Sequence, residues 1–312
     1  MTELLQRTLD GLLESGPYAL VGLGLTLSFG VLRRVNLAYG AGAMLAAYAG
    51  SWLYSRHDWP GVAVLLFVLA ATVAIGLYVE WICFAGLDAG AGTPGRGGAP
   101  VSGADGREVV ALASSFAVWM QLEQLSVNLL PRHLNPFPYL ASTGEWAWGP
   151  LMLRADRLLQ FGAAVALVLA LRQWLERSRT GLALRAVSDQ RTAAHLVGLR
   201  VRWVQRLAFA LACALAGLAA CAVLALDGQV TPMFGMWMLV KGLVAAMLGG
   251  LGSVRGVLLG AVALGVAEAH AQALFGALGR DATAWALLLA ALLWRGAAGV
   301  PGLVLPGGGC RA

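Results

Sequence analysis

The chain has 312 residues, 59% of them apolar and only 12% charged, with a mean hydropathy of +0.73. A soluble domain carries about 25% charged residues. Half that density, with repeated apolar runs of roughly 20 residues, excludes a soluble globular fold and places the chain in a bilayer. The formal net charge of +6 is no nucleic-acid signal, because nearly all of it is arginine at the ends of apolar runs, where membrane orientation accounts for it.

In chain order, residues 1–16 are polar and carry Glu3, Asp10 and Glu14, which is not the pattern of a cleavable signal. Nine apolar segments follow, at 17–32, 35–53, 60–84, 109–126, 156–175, 207–226, 236–251, 256–275 and 282–297. These runs are continuous, whereas an outer-membrane barrel needs alternating segments of about ten residues. The expected fold is therefore all-α: a polytopic transmembrane helical bundle of about eight or nine membrane segments, with residues 1–312 forming one domain. The second and seventh segments, NLAYGAGAMLAAYAG and KGLVAAMLGGLGS, are short and punctuated by glycine. Both are candidates for discontinuous or re-entrant elements, which occur near substrate paths.

Three loops stand out. Residues 85–108 are rich in Gly, Ala and Pro, as expected of a flexible cytoplasmic linker. Residues 127–155 form the largest external segment, with four prolines and with Trp146 and Trp148 suited to an interfacial belt; a short surface helix is expected there. Residues 172–206 hold eight arginines against Glu176 and Asp189. Short loops this rich in arginine stay cytoplasmic. Alternation from that loop puts Arg33, Arg34, Arg96, Arg107, Arg255, Arg295 and Arg311 on the same side, 15 arginines in all, against Arg7, Arg56, Arg132, Arg154, Arg157 and Arg280 outside. The amino terminus then lies outside and the carboxyl terminus in the cytoplasm. Within the loop, residues 188–196 are expected to form a short helix with an apolar edge of Ala193, Ala194, Leu196 and Val197. That edge is a docking candidate for a soluble partner, and a merely solvated basic loop is the alternative.

Lys241 and Glu268 are the charges expected inside the membrane, in the outer halves of adjacent spans. A lone charge at mid-bilayer costs roughly 2.5–3.5 kcal/mol on insertion scales, which pairing relieves. Alternatively, Lys241 snorkels to the outer headgroups and Glu268 faces solvent. Thr26, Ser28, Asn36 and Gln121 are uncharged hydrogen-bonding groups placed along a central route, or else caps and packing residues. Gly249, Gly250, Gly252, Gly256 and Gly260 lack the βαβ frame of a nucleotide-binding loop and are read as helix packing or a tight turn. The four cysteines, Cys83, Cys213, Cys221 and Cys310, contain no CxxC pair and read as free thiols. The histidines are scattered, with no HExxH, GxSxG or Walker motif, so neither catalysis, nor a metal site, nor a cofactor in this chain is indicated.

Three blocks carry a family resemblance. The first is ALVGLGLTLSFGVLRRVNLAYGAGAMLAAY (19–48), with Asn36, Ala38, Gly40, Met44, Ala47 and Tyr48. The second is TGLALRAVSDQRTAAHLVG (180–198), and the third is KGLVAAMLGGLGSVRGVLLGAVALGVAE (241–268). Together, in this order, they resemble the permease subunits of branched-chain amino acid ABC importers, of the LivH type. The chain departs from that pattern at Ala41 and Thr192, where acids are usual, and in its Gly-rich linker. The resemblance implies a bacterial inner-membrane permease that pairs with a second, LivM-type permease. It implies two cytoplasmic ATPases that bind ATP-Mg, a periplasmic solute-binding protein, membrane lipid around the bundle, and no nucleic acid. It also implies that 180–198 couples to the ATPase through Arg185, Asp189, Arg191, Ala194 and Gly198. Related permeases carry urea, short amides or sugars, so those substrates stay open. A stand-alone secondary transporter or channel is the alternative of a different class.

Overall fold

The computed structural model describes residues 2–32, 36–83, 104–129, 136–139, 145–148, 151–250 and 252–297. Its helices are α1 (Thr2–Leu32), α2 (Ala38–His57), α3 (Gly61–Cys83), α4 (Ala104–Leu129), α5 (Ala155–Arg177), α6 (Arg179–Asp189), α7 (Arg191–Leu196), α8 (Val201–Asp227), α9 (Phe234–Gly249) and α10 (Val254–Ala297). A short hairpin, β1 (Glu145–Trp148) and β2 (Leu151–Arg154), precedes α5. Among the described residues, α1, α3, α5, α8 and most of α10 are long and apolar enough to cross a membrane.

The core forms where α1, α8, α9 and α10 meet, with α2 packed beside them. Leu23, Leu25, Met44, Leu224, Met238 and Leu264 are fully buried there. The outer faces of α3, α5 and the end of α10 instead expose Leu66, Leu159 and Leu293, each more than 60% accessible. Water would penalise such faces, whereas acyl chains are as apolar as leucine. This is the distribution of a multi-pass membrane protein.

Four expectations need correction. The helix expected to begin at 17 starts far earlier, because α1 runs unbroken from Thr2 through Pro17. Proline forfeits one backbone bond, but tertiary packing holds the helix: Gly11 and Gly265 sit backbone to backbone across α1 and α10. The second apolar segment is one continuous 20-residue helix, since Gly40 serves close approach to the Gly235 backbone of α9 and produces no kink. The break lies elsewhere, at Gly276 in α10, whose φ of 73° and ψ of −161° interrupt the helix. There the chain turns back, so that Gly279 faces the Ala271 carbonyl at 2.8 Å from its Cβ position. A straight helix would separate residues eight apart by about 12 Å.

The third correction concerns 104–108, expected in the linker, which form the first turns of α4; residues 85–103 lie outside the described residues. Fourth, the external segment carries a β-hairpin where a surface helix was expected, pairing Glu145 with Arg154 and Trp148 with Leu151. Trp146 and Trp148 stand at the strand period of two, and Pro150 between the strands cannot continue a helix.

The α9–α10 crossing is the tightest of the bundle. A Cβ on Gly249 would strike the Gly256 carbonyl, one on Gly256 the Gly249 carbonyl, and one on Gly260 the Ala245 carbonyl. Gly250 and Gly252 form the turn between them with φ of 93° and 97°, a region side chains disfavour. Gly260→Ala is therefore expected to destabilise the purified protein by roughly 1–3 kcal/mol through overpacking. Gly162→Ala, where nothing lies within 4 Å, should leave the thermal midpoint in detergent unchanged.

Candidate translocation and coupling sites

Lys241 and Glu268 are paired. The Lys241 Nζ donates to Glu268 Oε2 at 2.8 Å, with both side chains 2% exposed, so neither snorkelling nor exposure to solvent applies. The same oxygen accepts from the Tyr18 hydroxyl at 2.9 Å and from Arg280 Nε at 3.3 Å. Tyr18 in turn accepts from Arg280 at 2.9 Å and from Lys241 at 3.3 Å. Arg280 also reaches Glu14 at 3.0 Å, Arg157 bonds the other Glu14 oxygen at 3.2 Å, and Asp10 lies 3.9 Å from Arg157. Lys241 lies over the Trp237 ring, 4.3 Å from its centroid, one helical turn back on α9.

Three acids and three bases thus close a neutral network across α1, α5, α9 and both arms of α10. Sequence reading isolated only Lys241 and Glu268. The other members carried a signal: Asp10, Glu14 and Tyr18 recur every four residues, so they share one face if the helix continues. Starting the first helical segment at 17 concealed that spacing. Arg280 had no local signal, because only the reversal at Gly276 brings it back to Glu268.

Among the described residues, one cavity lies beside the middle of α1 and another beside its carboxyl-terminal part. The larger, about 690 Å³, sits beside the network and is lined by Glu14, Tyr18, Arg157, Asp227, Trp237 and Arg280 among others. The smaller, about 400 Å³, opens beside Thr26, Gly30, Arg172, Glu176, Arg185 and Arg255. Of the polar residues placed along a central route, Thr26 lines this second cavity and donates to the Gly22 carbonyl at 2.8 Å. Ser28 is buried, and its hydroxyl has no partner among the described residues. Asn36 is buried and accepts the Ala38 N–H at 3.0 Å, capping the start of α2. Gln121 is exposed on α4 and lines neither cavity.

The arginine-rich segment folds as two helices. The single helix expected over 188–196 is divided, because Gln190 is extended with φ of −144° and ψ of 101°. Ser178 caps α6 by accepting the Gly181 N–H at 2.9 Å. Gly181 lies directly against the Leu175 backbone, where a Cβ would clash, so α6 folds tightly under the end of α5. Leu184, Val187 and Ala194 are buried with Val31 of α1, Leu175 of α5, and Val204 and Ala208 of α8. The apolar edge therefore splits: Ala194 faces the bundle, while Leu196 and Val197 are 83% and 82% exposed. Arg185 donates to the Glu176 carbonyl at 3.3 Å, Asp189 ends α6, and Gly198 holds a φ of 86° after α7. Arg191 begins α7; its side chain lies outside the described residues.

The architecture is thus a helical membrane bundle with a docked pair of short helices at one end and an ion network towards the other. The model of a family described as branched-chain amino acid transport system, permease component, matches residues 7–88 and 100–294. The chain belongs to this permease family. Among its relatives, the high-affinity branched-chain amino acid transport system permease protein BraD of Pseudomonas aeruginosa is 29% identical over 302 residues, covering 93% of this chain and 94% of that protein. LivH of Salmonella typhimurium and LivH of Escherichia coli are each 26% identical over 294 residues, covering 93% of this chain and 92% of theirs. Among solved structures, PsaBC from Streptococcus pneumoniae in complex with Fab aligns with 91% of this chain and 90% of that chain at 14% identity. Its TM-score of 0.48 is too distant to carry an argument.

The permease's relatives are transport components rather than enzymes. Among the described residues no group of three or more His, Cys, Asp or Glu is placed to hold a metal ion. Cys83, Cys213 and Cys221 are buried free thiols; Cys310 lies outside the described residues.

The network predicts an asymmetry between its members. Glu268→Gln leaves Lys241 and Arg280 without their shared counter-charge and should cost about 3–5 kcal/mol, the range for breaking a buried pair. Lys241→Met leaves Arg280 and Tyr18 on the carboxylate and should cost clearly less. Thermal unfolding of the permease in detergent, followed by tryptophan fluorescence, would show Glu268→Gln melting first; the reverse order contradicts the network.

Proposed function

We propose that the chain is the membrane-spanning subunit of an ATP-driven importer of branched-chain amino acids, with all of residues 1–312 forming the permease domain. It would reside in a bacterial inner membrane with its carboxyl terminus in the cytoplasm. Its partners would be a second, LivM-type permease, two ATPases that bind ATP-Mg at the α6–α7 end, and a periplasmic solute-binding protein at the opposite end. The relatives' printed substrate and their coverage of nearly the whole chain support this reading over urea or short amides.

The observation that carries the coupling role is the seating of α6 and α7. They bury three side chains among the ends of α1, α5 and α8 while leaving Leu196 and Val197 bare. A force on that bare tip is delivered to helices that continue into the core, because close-packed interiors transmit strain. Arg185, Asp189, Arg191, Ala194 and Gly198 form or brace this lever. Thr26, Ser28, Asn36, Gln121, Lys241 and Glu268 are proposed along the solute route, with Thr26 beside the inner cavity and the ion pair near the outer one.

The test replaces both tip residues, Leu196→Asp and Val197→Asp. These side chains are mostly exposed, so folding should survive. ATPase association in pull-downs and leucine uptake by reconstituted vesicles should both fall at least about tenfold, equivalent to roughly 1.4 kcal/mol of lost docking energy. Unchanged association and uptake would reject the lever.

A further inference from the structure

The smaller cavity, about 400 Å³, holds a charge imbalance that its own packing does not resolve. Its charged lining is Arg172 and Glu176 on α5, Arg185 on α6 and Arg255 at the start of α10. Three cations meet one acid there. That acid is already engaged, since Arg172 Nε donates to Glu176 Oε1 at 2.8 Å. Arg185 donates only to the Glu176 main-chain carbonyl, at 3.3 Å. The Arg255 side chain makes no ion pair or hydrogen bond among the described residues. Two guanidinium charges therefore line the cavity without a carboxylate of their own. The start of α10 adds the positive end of a helix dipole, with Ser253 capping it by accepting the Gly256 N–H at 3.1 Å.

The rest of the wall is apolar, with Leu27, Val31, Leu171 and Leu175 along α1 and α5. A Cβ on Gly30 or on Gly252 would meet nothing within 4 Å, so both glycines face open space. The lever helix α6 and the start of α10 make no extended contact, and the cavity lies in the gap between them. A small soluble anion would satisfy the arginines but leave the leucines against water, which apolar surface disfavours. A phospholipid satisfies both surfaces. Basic pockets between transmembrane helices on the cytoplasmic side bind anionic headgroups, and arginine grips phosphate through paired N–H donors.

We infer that this cavity binds an anionic phospholipid. The phosphate bridges Arg185 on α6 to Arg255 on α10, and the upper acyl carbons lie on Leu27, Val31 and Leu171. The lipid thus fastens the lever to the helix that carries Glu268, across a gap that protein side chains leave open. A zwitterionic lipid offers the same phosphate but brings a further cation to a surface already in cationic excess, where like charges repel. Binding does not depend on which solute is carried; its meaning for coupling rests on the importer reading.

The experiment uses the delipidated full-length chain in a neutral detergent. Phosphatidylglycerol, phosphatidylcholine and inorganic phosphate are titrated separately. Retained lipid is counted by native mass spectrometry, and amide exchange is followed over 179–189. Phosphatidylglycerol should slow exchange in α6 roughly tenfold, as about 90% occupancy requires. Arg185→Gln with Arg255→Gln should weaken its binding at least about tenfold. Gly30→Leu, which fills the open space from a helical position and removes no charge, should do the same. Arg200→Gln with Arg202→Gln takes equal charge from exposed positions outside the cavity and should leave binding unchanged.

Equal retention of phosphatidylcholine, an equal effect of inorganic phosphate, or undiminished binding by Gly30→Leu overturns the inference. So does an equal loss in Arg200→Gln with Arg202→Gln, which would make the attraction a property of the whole arginine-rich segment. A chain that binds the lipid as expected but supports no leucine uptake in the assembled complex removes the importer reading and leaves this site standing.

Discussion

The Glu268 carboxylate is the interaction on which the packing of this bundle depends. One of its oxygens accepts from Tyr18, Lys241 and Arg280, so a single atom ties α1, α9 and both arms of α10. Burying an ion costs several kcal/mol, and the cost is offset only by dense, well-directed partners. Here the partners come from three helices, and the carboxylate becomes a specification of how those helices sit. A leucine in its place would be easier to bury, but it would fix no register.

The glycines complete that constraint. Lipid supplies little hydrophobic drive for one helix to leave it for another, so close contact must come from backbone shape. At Gly249, Gly256 and Gly260 the α9 and α10 backbones approach where any side chain would intrude. That approach sets the height of Lys241 relative to Glu268, so the polar lock and the smooth crossing are two expressions of one geometry. At the other end, α6 and α7 rest on the ends of α1, α5 and α8. Since α1 also bears Glu14 and Tyr18, one rigid element connects the arginine-rich tip to the ion network.

Much of this was legible in the residues, for identifiable reasons. Apolar run lengths located the helical segments, because the bilayer imposes that length and little else does. Charge rarity singled out Lys241 and Glu268, because a charge inside an apolar run demands a partner. The rest depended on tertiary contact. The bond of Asn36 to the Ala38 amide was not legible, because the residues alone do not separate a pathway group from a cap. The division at Gln190 has no glycine or proline to announce it; burial of Val187 and Ala194 on one side decides it. The continuity of α1 through Pro17 was hidden because the contact that stabilises it, with Gly265, lies far along the chain. Arg280 was placed in the gap between the apolar runs 256–275 and 282–297, and the reversal at Gly276 falls in that gap; its contact with Glu268 depends on how the two arms pack.

The distance along the chain between the network's members has a consequence for biosynthesis. Glu14 and its partner Arg280 are 266 positions apart, so the ribosome delivers the acids of α1 long before the cations that neutralise them. During synthesis α1 must hold Asp10 and Glu14 in water or against the insertion machinery, and the network cannot close until the second arm of α10 emerges. Closure of the network therefore waits for the synthesis of Arg280, and a nascent chain interrupted short of that residue leaves an open, acid-bearing helix.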